Sequence, residues 1–154
     1  MHFKILTSAA TILFLAVCTS LDAEVSPQDS MKMQGDWIVV KYEEGGLNLP
    51  LKGKMHWTFN FNRDKISSVY TDGEIMIGSF ELDDLKKPKE INIVWKENRE
   101  SIQVKGIYVF KENKLYICVG SKPGDRPRDF LSTIDTGNCL MILDRDVKRG
   151  RSAP

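Results

Sequence analysis

Short runs in which apolar and polar residues alternate follow one another along most of the chain. The clearest run covers residues 55–62, where Met55, Trp57, Phe59 and Phe61 occupy the odd positions and polar residues occupy the even ones. A helix would distribute these residues around its axis, whereas a strand places all four large side chains on one face. The pattern therefore predicts a half-buried β-strand.

Similar runs recur along the chain, separated by turn signals rich in Gly, Pro, Asn and Asp. The sequence predicts eight strands, one that begins at Gly35 and seven at residues 55–62, 66–71, 74–82, 90–96, 101–110, 115–119 and 138–143. Eight consecutive antiparallel strands with an apolar face favour an up-and-down barrel, because closure removes exposed sheet edges. The predicted fold class is therefore all-β, an eight-stranded antiparallel barrel, with a β-sandwich as the alternative.

The interior of a barrel of about eight strands is filled by side chains or holds one small ligand. Seven bulky residues on the predicted inward faces are the candidate lining of a ligand site: Trp57, Phe59, Met76, Phe80, Trp95, Val104 and Tyr108. Their bulk favours a filled core, and the alternative is a small apolar pocket in which Tyr108 supplies a polar group. Gly78 and Gly106 lie in mid-strand, where glycine is typical of a bend or a close backbone approach.

The first residues have the pattern of an export signal. Lys4 precedes an apolar run over residues 5–17, and small residues follow it, which is typical of a secretory signal peptide. The run is shorter than the roughly 20 apolar residues that span a bilayer. We expect a signal peptide over residues 1–23 and export to the periplasm or the extracellular medium. Residues 15–18 also resemble a bacterial lipobox, apart from its third residue, which leaves lipid anchoring through Cys18 as an alternative.

Length and charge favour a single domain after that signal. The chain has 154 residues, which suits one domain. We expect a flexible lead-in or short helical turn at residues 24–32, a β-barrel domain at residues 33–146 and a disordered basic tail at residues 147–154. Loss of the signal takes one Lys and one Asp, leaving 131 residues with 21 basic and 20 acidic side chains. This balance argues against nucleic acid as a partner, since phosphate binding needs a basic surface.

Residues that carry common catalytic and metal-binding chemistry are scarce. His56 is the one histidine after the signal, so a zinc site built from several histidines is excluded, and we expect no metal or cofactor. Established catalytic and phosphate-binding motifs are absent. The acidic pairs at positions 43–44, 83–84 and 144/146 fall in predicted turns or strand ends. We therefore expect that the protein is not an enzyme and that His56 is exposed.

Two cysteines remain after the signal, Cys118 near the end of the seventh predicted strand and Cys139 near the start of the eighth. Antiparallel pairing would bring both to the same end of the barrel, and export permits a disulfide. Such a bond would contribute about 3 kcal/mol in the chain-entropy model. The alternative is two buried thiols, because free cysteine is common as a small apolar filler.

Gly35-Asp36-Trp37, at the start of the first strand, resembles the G-x-W signature of the lipocalins. The resemblance implies that Trp37 closes the base of the barrel and that Arg145, after the last strand, stacks on its indole in a cation–π contact. The chain also resembles a narrower family of small exported bacterial domains, lipocalin-like and abundant in planctomycetes, that has no assigned function. The matching segments are residues 35–40, 44–46, 82–91, 106–108, 115–118 and 126–130. Cys139 is not part of that pattern, and the family supplies no catalytic residues.

The expected function follows from the predicted barrel and from the absence of catalytic motifs. We expect an exported, monomeric, non-enzymatic lipocalin-like barrel that binds a small apolar or amphipathic ligand. The alternative is a protein-interaction module, such as an envelope scaffold or an inhibitor, that acts through its loops. The candidate loops are residues 45–50, which place Leu47 and Leu49 beside two glycines, and residues 121–128.

Overall fold

A computed structural model describes residues 27–51, 56–70, 72–97 and 100–146. The predicted signal peptide with Cys18, Met55 and the predicted basic tail lie outside the described residues. The described elements are α1 (Pro27–Met33), β1 (Gly35–Glu44), β2 (Leu47–Leu49), β3 (Thr58–Asn62), β4 (Lys65–Val69), β5 (Ile75–Asp83), β6 (Lys89–Glu97), β7 (Glu100–Lys111), β8 (Lys114–Val119) and β9 (Cys139–Arg145).

Eight of the strands form a closed antiparallel barrel. From β3 to β9 each strand pairs with the next, and β1 closes the ring by pairing with both β3 and β9. The predicted all-β barrel is confirmed, and the β-sandwich alternative is wrong. The short β2 was not predicted; it pairs with the end of β1 and lies outside the ring. Gly45 and Gly46 join the two strands with φ of 55° and 79°, as a two-residue hairpin turn requires.

An irregularity in β1 determines which of its residues face the interior. The pairing of β1 with β9 shifts between Val39 and Lys41, which is a β-bulge at Val40. Val39 is buried in the core, whereas Val40 is 46% exposed. Beyond the bulge the alternation is displaced by one residue, so that Tyr42 rather than Lys41 lines the interior.

One end of the barrel, here called the base, is covered by α1. The guanidinium carbon of Arg145 lies 3.9 Å from the ring centroid of Trp37, which is the contact that the lipocalin resemblance implies. Trp37 Nε1 donates to the carbonyl of Met33 at 2.8 Å, and Arg145 donates to the carbonyls of Lys32 and Gln34. These bonds satisfy carbonyls at the end of α1 that have no partner within the helix. Within the expected lead-in at residues 24–32, the described part from residue 27 onward is helical.

Two further contacts hold the base together. Gly35 joins α1 to β1 with φ of 101°, and a Cβ there would lie 3.1 Å from Nη1 of Arg145. Glycine is favoured at this φ, and it leaves room for the guanidinium. The buried carboxylate of Asp29 accepts hydrogen bonds from Tyr108 Oη at 3.1 Å and from Lys89 Nζ at 2.5 Å, so α1 is bonded to strands on both sides of the base.

Gly78 and Gly106 lie where neighbouring strands approach closely. A Cβ on Gly78 would lie 2.3 Å from the carbonyl oxygen of Val94, and one on Gly106 would lie 2.7 Å from that of Cys118. Both distances are shorter than van der Waals contact, so no side chain fits at either position without movement of the backbone. The close approach predicted for these two glycines is confirmed.

Cys118 and Cys139 lie on opposite faces of the barrel wall. The β8–β9 register pairs Val119 with Cys139, and successive residues of a strand point to opposite faces. Cys139 lines the interior, whereas Cys118 points outward and packs with Leu140 beneath Phe130 of the β8–β9 loop. Both thiols are free. The disulfide prediction is wrong for this reason, and the structure has the alternative of two thiols.

Candidate ligand site

The end of the barrel opposite α1, here called the mouth, contains an apolar cavity of about 260 Å³, the inner cavity. Every one of the eight barrel strands contributes at least one side chain to its lining. Towards the base the interior is filled by a buried core that includes Phe61, Ile91 and Leu143. The expectation of a filled interior therefore holds for the base half, and the pocket alternative holds for the mouth half.

The structure separates the seven predicted lining residues by depth. Five of them line the inner cavity: Trp57, Phe59, Met76, Trp95 and Val104. Phe80 and Tyr108 do not line the inner cavity; both are buried in the core. The ring of Phe80 packs edge-on against Phe61 with centroids 5.0 Å apart, and the Tyr108 hydroxyl bonds to Asp29. Alternation predicts the face of a strand on which a residue lies but not its depth in the barrel.

The hydroxyl of Ser68 faces the barrel interior and accepts a hydrogen bond from Trp57. Trp57 Nε1 donates to Ser68 Oγ at 2.7 Å, and Ser68 is almost fully buried. A buried indole N–H normally needs such an acceptor. The bond orients the Trp57 ring at the mouth and leaves the inner cavity with walls that are chiefly apolar.

Three aromatic rings, Tyr42, Trp57 and Tyr70, border the inner cavity on its outer side and form what we call the aromatic collar. Tyr70 stacks on Trp57 with centroids 4.8 Å apart, and Tyr42 meets Trp57 edge-on at 5.1 Å. The collar also borders an outer cavity of about 320 Å³, whose remaining walls are residues 49–51 and Asp72. The short β2 hairpin therefore supplies one wall of the outer cavity.

A carboxylate, a phenol and a thiol meet at the end of β1. The Tyr42 hydroxyl donates to Glu44 Oε2 at 2.8 Å and lies 3.7 Å from Cys139 Sγ. Burial, together with the neighbouring Cys139 and Glu44, raises the pKa of Tyr42. Burial also raises the pKa of the Cys139 thiol, although its bond with Tyr42 acts in the opposite direction. Both groups are therefore neutral at pH 7, and Cys139 is not an activated nucleophile.

Two more carboxylates lie in the β4–β5 turn beside Tyr70. Asp72 Oδ1 accepts the backbone N–H of Glu74 at 3.0 Å, which is an Asx-type turn contact. Burial, followed by the charges of Glu74 and Asp72, raises the pKa of Tyr70. The electrostatic environment of the collar is therefore negative on the Tyr70 side as well as on the Tyr42 side.

The pattern of the sequence did not identify Tyr42, Tyr70 or Cys139 as residues of the site. Tyr42 faces inward only because of the bulge at Val40, and no glycine or other signal in β1 marks that bulge. Tyr70 could have been found, because Ile66, Ser68 and Tyr70 alternate along the predicted strand at residues 66–71 and all three line the inner cavity. The sequence predicts Cys139 as a disulfide partner or, alternatively, as a buried thiol, and neither prediction places it in a ligand site.

Two of the acidic residues named in the sequence analysis form ion pairs, and the histidine is exposed. Glu43 binds Lys41 at 2.6 Å on the outer face of β1, and Asp144 is paired with Lys114 at the other end of the barrel. His56 is exposed, as predicted. Within the described ranges, no three His, Cys, Asp or Glu side chains are grouped closely enough to hold a metal ion.

The two predicted interaction loops differ in whether the side chains named below point to solvent or to the barrel. Leu47 is 64% exposed and Leu49 is 39% exposed on β2, as expected for residues 45–50. In the second loop Arg126 is directed towards the barrel, where it donates to the carbonyl of Ile91 at 3.2 Å and lies 3.3 Å from Glu90 Oε2. Arg126 therefore anchors its loop to the outer wall of the barrel.

In the part of the chain that the structure describes, no helix has the length and the hydropathy that crossing a bilayer requires. Comparison with protein-family models, with curated proteins and with solved structures finds no match to this chain. Function is therefore inferred from the two cavities, the aromatic collar and the charges around them.

Proposed function

We propose that this protein is an exported, non-enzymatic, lipocalin-like barrel that binds a small apolar or amphipathic ligand in the inner cavity. The observation that supports the proposal is an apolar cavity of about 260 Å³ to which every barrel strand contributes. Protein interiors are close-packed, and an apolar void loses the packing contacts that a ligand restores. The stacked pair of Trp37 and Arg145 supports the lipocalin-like part of the proposal.

The size of the inner cavity limits the ligand. An engineered cavity of about 150 Å³ holds benzene, so by proportion the inner cavity holds about ten non-hydrogen atoms. One aromatic ring with a short alkyl chain fits this limit. A longer ligand would extend past the aromatic collar into the outer cavity of about 320 Å³.

Ligand binding is tested by extraction of the purified protein for bound lipid and by titration with a hydrophobic fluorophore. The matched variants are Val104→Phe, which fills the inner cavity, and Val109→Phe on the outer face of the same strand. We expect saturable uptake by the native chain and by Val109→Phe, and strongly reduced uptake by Val104→Phe. Absence of uptake by the native chain, or equal uptake by both variants, would contradict the proposal.

Export is tested by mass spectrometry of the mature N-terminus. A free N-terminus at Thr19, Leu21 or Glu24 supports soluble export, and an acylated Cys18 supports the lipid-anchored alternative. Retention of Met1 in a protein purified from its own cells would contradict both.

A second candidate function, protein interaction through the rim of the mouth, is favoured by one group of exposed apolar residues. Leu47, Leu131 and Ile134 are 64%, 58% and 84% exposed. The backbone N–H of Gly46 donates to Ser132 Oγ at 3.1 Å, so the β2 hairpin and residues 131–134 are neighbours. A photo-crosslinking residue at position 47 should capture a defined partner, while one at Leu85, which is 59% exposed and lies near the base, should not. Equal capture at both positions would count against this function.

A further inference from the structure

Carboxylates surround the aromatic collar on two sides. Glu44 accepts the hydroxyl of Tyr42, and Asp72 lines the outer cavity next to Tyr70. Glu74 lies in the same turn as Asp72 and adds its charge to the environment of Tyr70. Three negative side chains therefore act on the entrance to the apolar inner cavity.

No basic side chain balances these carboxylates in the described part of the chain. None of the ion pairs formed there includes Glu44, Asp72 or Glu74. The nearest lysine in the sequence of β1, Lys41, is held by Glu43 on the outer face. Lys52 and Lys54 lie outside the described residues. The carboxylates of the described residues at the mouth contrast with the formal net charge of the whole chain, which is +1.

Aromatic ring faces and carboxylates are the groups that recognise organic cations. A ring attracts an ammonium group through its quadrupole, and quaternary ammonium ligands are typically bound by aromatic cages. The collar offers three rings, with Tyr42 nearly perpendicular to Trp57 at an interplanar angle of 76°. The hydroxyl of Tyr42 already donates its hydrogen bond to Glu44. A quaternary ammonium group accepts no hydrogen bond, so it can lie against the ring of Tyr42 without breaking this contact.

We propose that the ligand is an amphipathic organic cation, with an ammonium-type head group held at the mouth by Tyr42, Tyr70 and Asp72 and with its apolar body in the inner cavity. This inference rests on the proposed ligand-binding function and adds the chemical class of the ligand. It explains why apolar walls and carboxylates meet at the collar: each binds a different part of one molecule.

The test compares three probes that share one apolar body, 4-phenylbutyl, and differ in their head group. Isothermal titration calorimetry of the mature chain measures the affinity for the trimethylammonium compound, the neutral alcohol and the corresponding carboxylate. We expect the ammonium probe to bind about tenfold more tightly than the alcohol and the carboxylate to bind most weakly. The preference should decrease at high salt, because the carboxylates at the mouth are exposed to solvent.

Variants without the negative charges test whether the carboxylates at the mouth cause the tighter binding of the ammonium probe. Glu44→Gln and Asp72→Asn keep oxygen acceptors for their hydrogen bonds while removing both charges. The matched control is the double variant Glu43→Gln/Asp83→Asn, which also removes two negative charges. Glu43 lies on the outer face of β1, and Asp83 lies near the base, where its Oδ1 accepts the N–H of Leu85 at 3.2 Å. The first double variant should bind the alcohol normally and lose most of the preference for ammonium, whereas the control should keep both.

The possible results separate the inference from the function on which it rests. Equal affinities for the alcohol and the ammonium probe, or a tightest-binding carboxylate, would overturn the cationic ligand while leaving an apolar ligand site in place. An unchanged ammonium preference in Glu44→Gln/Asp72→Asn would also overturn it, because the charge would then lie elsewhere. If none of the three probes binds, both the inference and the proposed function are wrong.

Discussion

Replacement of Arg145 by Met is the sharpest test of how the base is closed. The substitution keeps an unbranched apolar side chain over Trp37 but removes the guanidinium, which lies 3.9 Å from the indole centroid. It also removes the donors to the carbonyls of Lys32 and Gln34. These carbonyls end α1, so the variant should weaken the attachment of the helix to the barrel.

The expected cost follows from these contacts. A cation–π contact at an exposed site contributes about 0.5–1 kcal/mol, and a hydrogen bond from a charged group contributes about 1.5–3 kcal/mol when it is well shielded. Because Arg145 is itself exposed, the hydrogen bonds should contribute less than that, and we expect a total loss of about 2 kcal/mol. The free energy of unfolding is measured by urea denaturation.

The control is Arg128→Met, since Arg128 is an exposed arginine of the β8–β9 loop. Surface substitutions of this kind usually change stability by less than about 0.5 kcal/mol. Hydrogen exchange should show faster exchange of the α1 amides in Arg145→Met and no change in Arg128→Met. Equal stability of the two variants would refute the view that Arg145 fixes α1 to the base.

Three further predictions concern the packing and the thiols. Gly106→Ala should destabilise the fold by about 1–3 kcal/mol in urea denaturation, because its Cβ would lie 2.7 Å from a carbonyl oxygen; a neutral substitution would contradict the close approach. Burial raises the pKa of Cys118 from its ordinary value of 9.0 to about 12. Its contribution to stability is therefore complete below pH 9.0 and is lost as the pH rises from there towards 12. Under reducing conditions Cys118→Ala should lose less stability than the native chain over this window, and parallel pH profiles would contradict it. Because burial also raises the pKa of Cys139, this thiol should react with iodoacetamide more slowly than in the unfolded chain, and an occupied inner cavity should slow it further. Mass spectrometry of the labelled peptide measures both effects, and labelling at the unfolded rate would show that Cys139 is not shielded.

The barrel could be predicted from the sequence because alternation carries the necessary information. In residues 101–110 the apolar positions Ile102, Val104 and Tyr108 fall on one face, and in the structure all three face the interior. What alternation does not specify is depth. Tyr108 was expected in a pocket, but it lies in the base, where α1 brings Asp29 to its hydroxyl. That contact depends on a helix outside the strand pattern.

The mouth was harder to predict, because two local irregularities build it. The bulge at Val40 displaces the alternation of β1 and turns Tyr42 inward, and no residue type in β1 signals it. The β2 hairpin brings Leu49 and Pro50 to the outer cavity, although its three residues are too few to show a strand pattern. The β-bulge is a backbone feature, and a single sequence contains little information about such features.

The claim that the mouth of the barrel holds a ligand in its inner cavity is tested most directly by a crystal structure of residues 24–154 with 4-(4-bromophenyl)butanol. The anomalous signal of bromine locates the apolar end of the probe independently of the protein phases. We expect a bromine peak inside the barrel among Met76, Trp95 and Val104, with the alcohol at the aromatic collar. A bromine peak on the outer surface of the barrel, or an inner cavity closed by movement of Trp57, would contradict it.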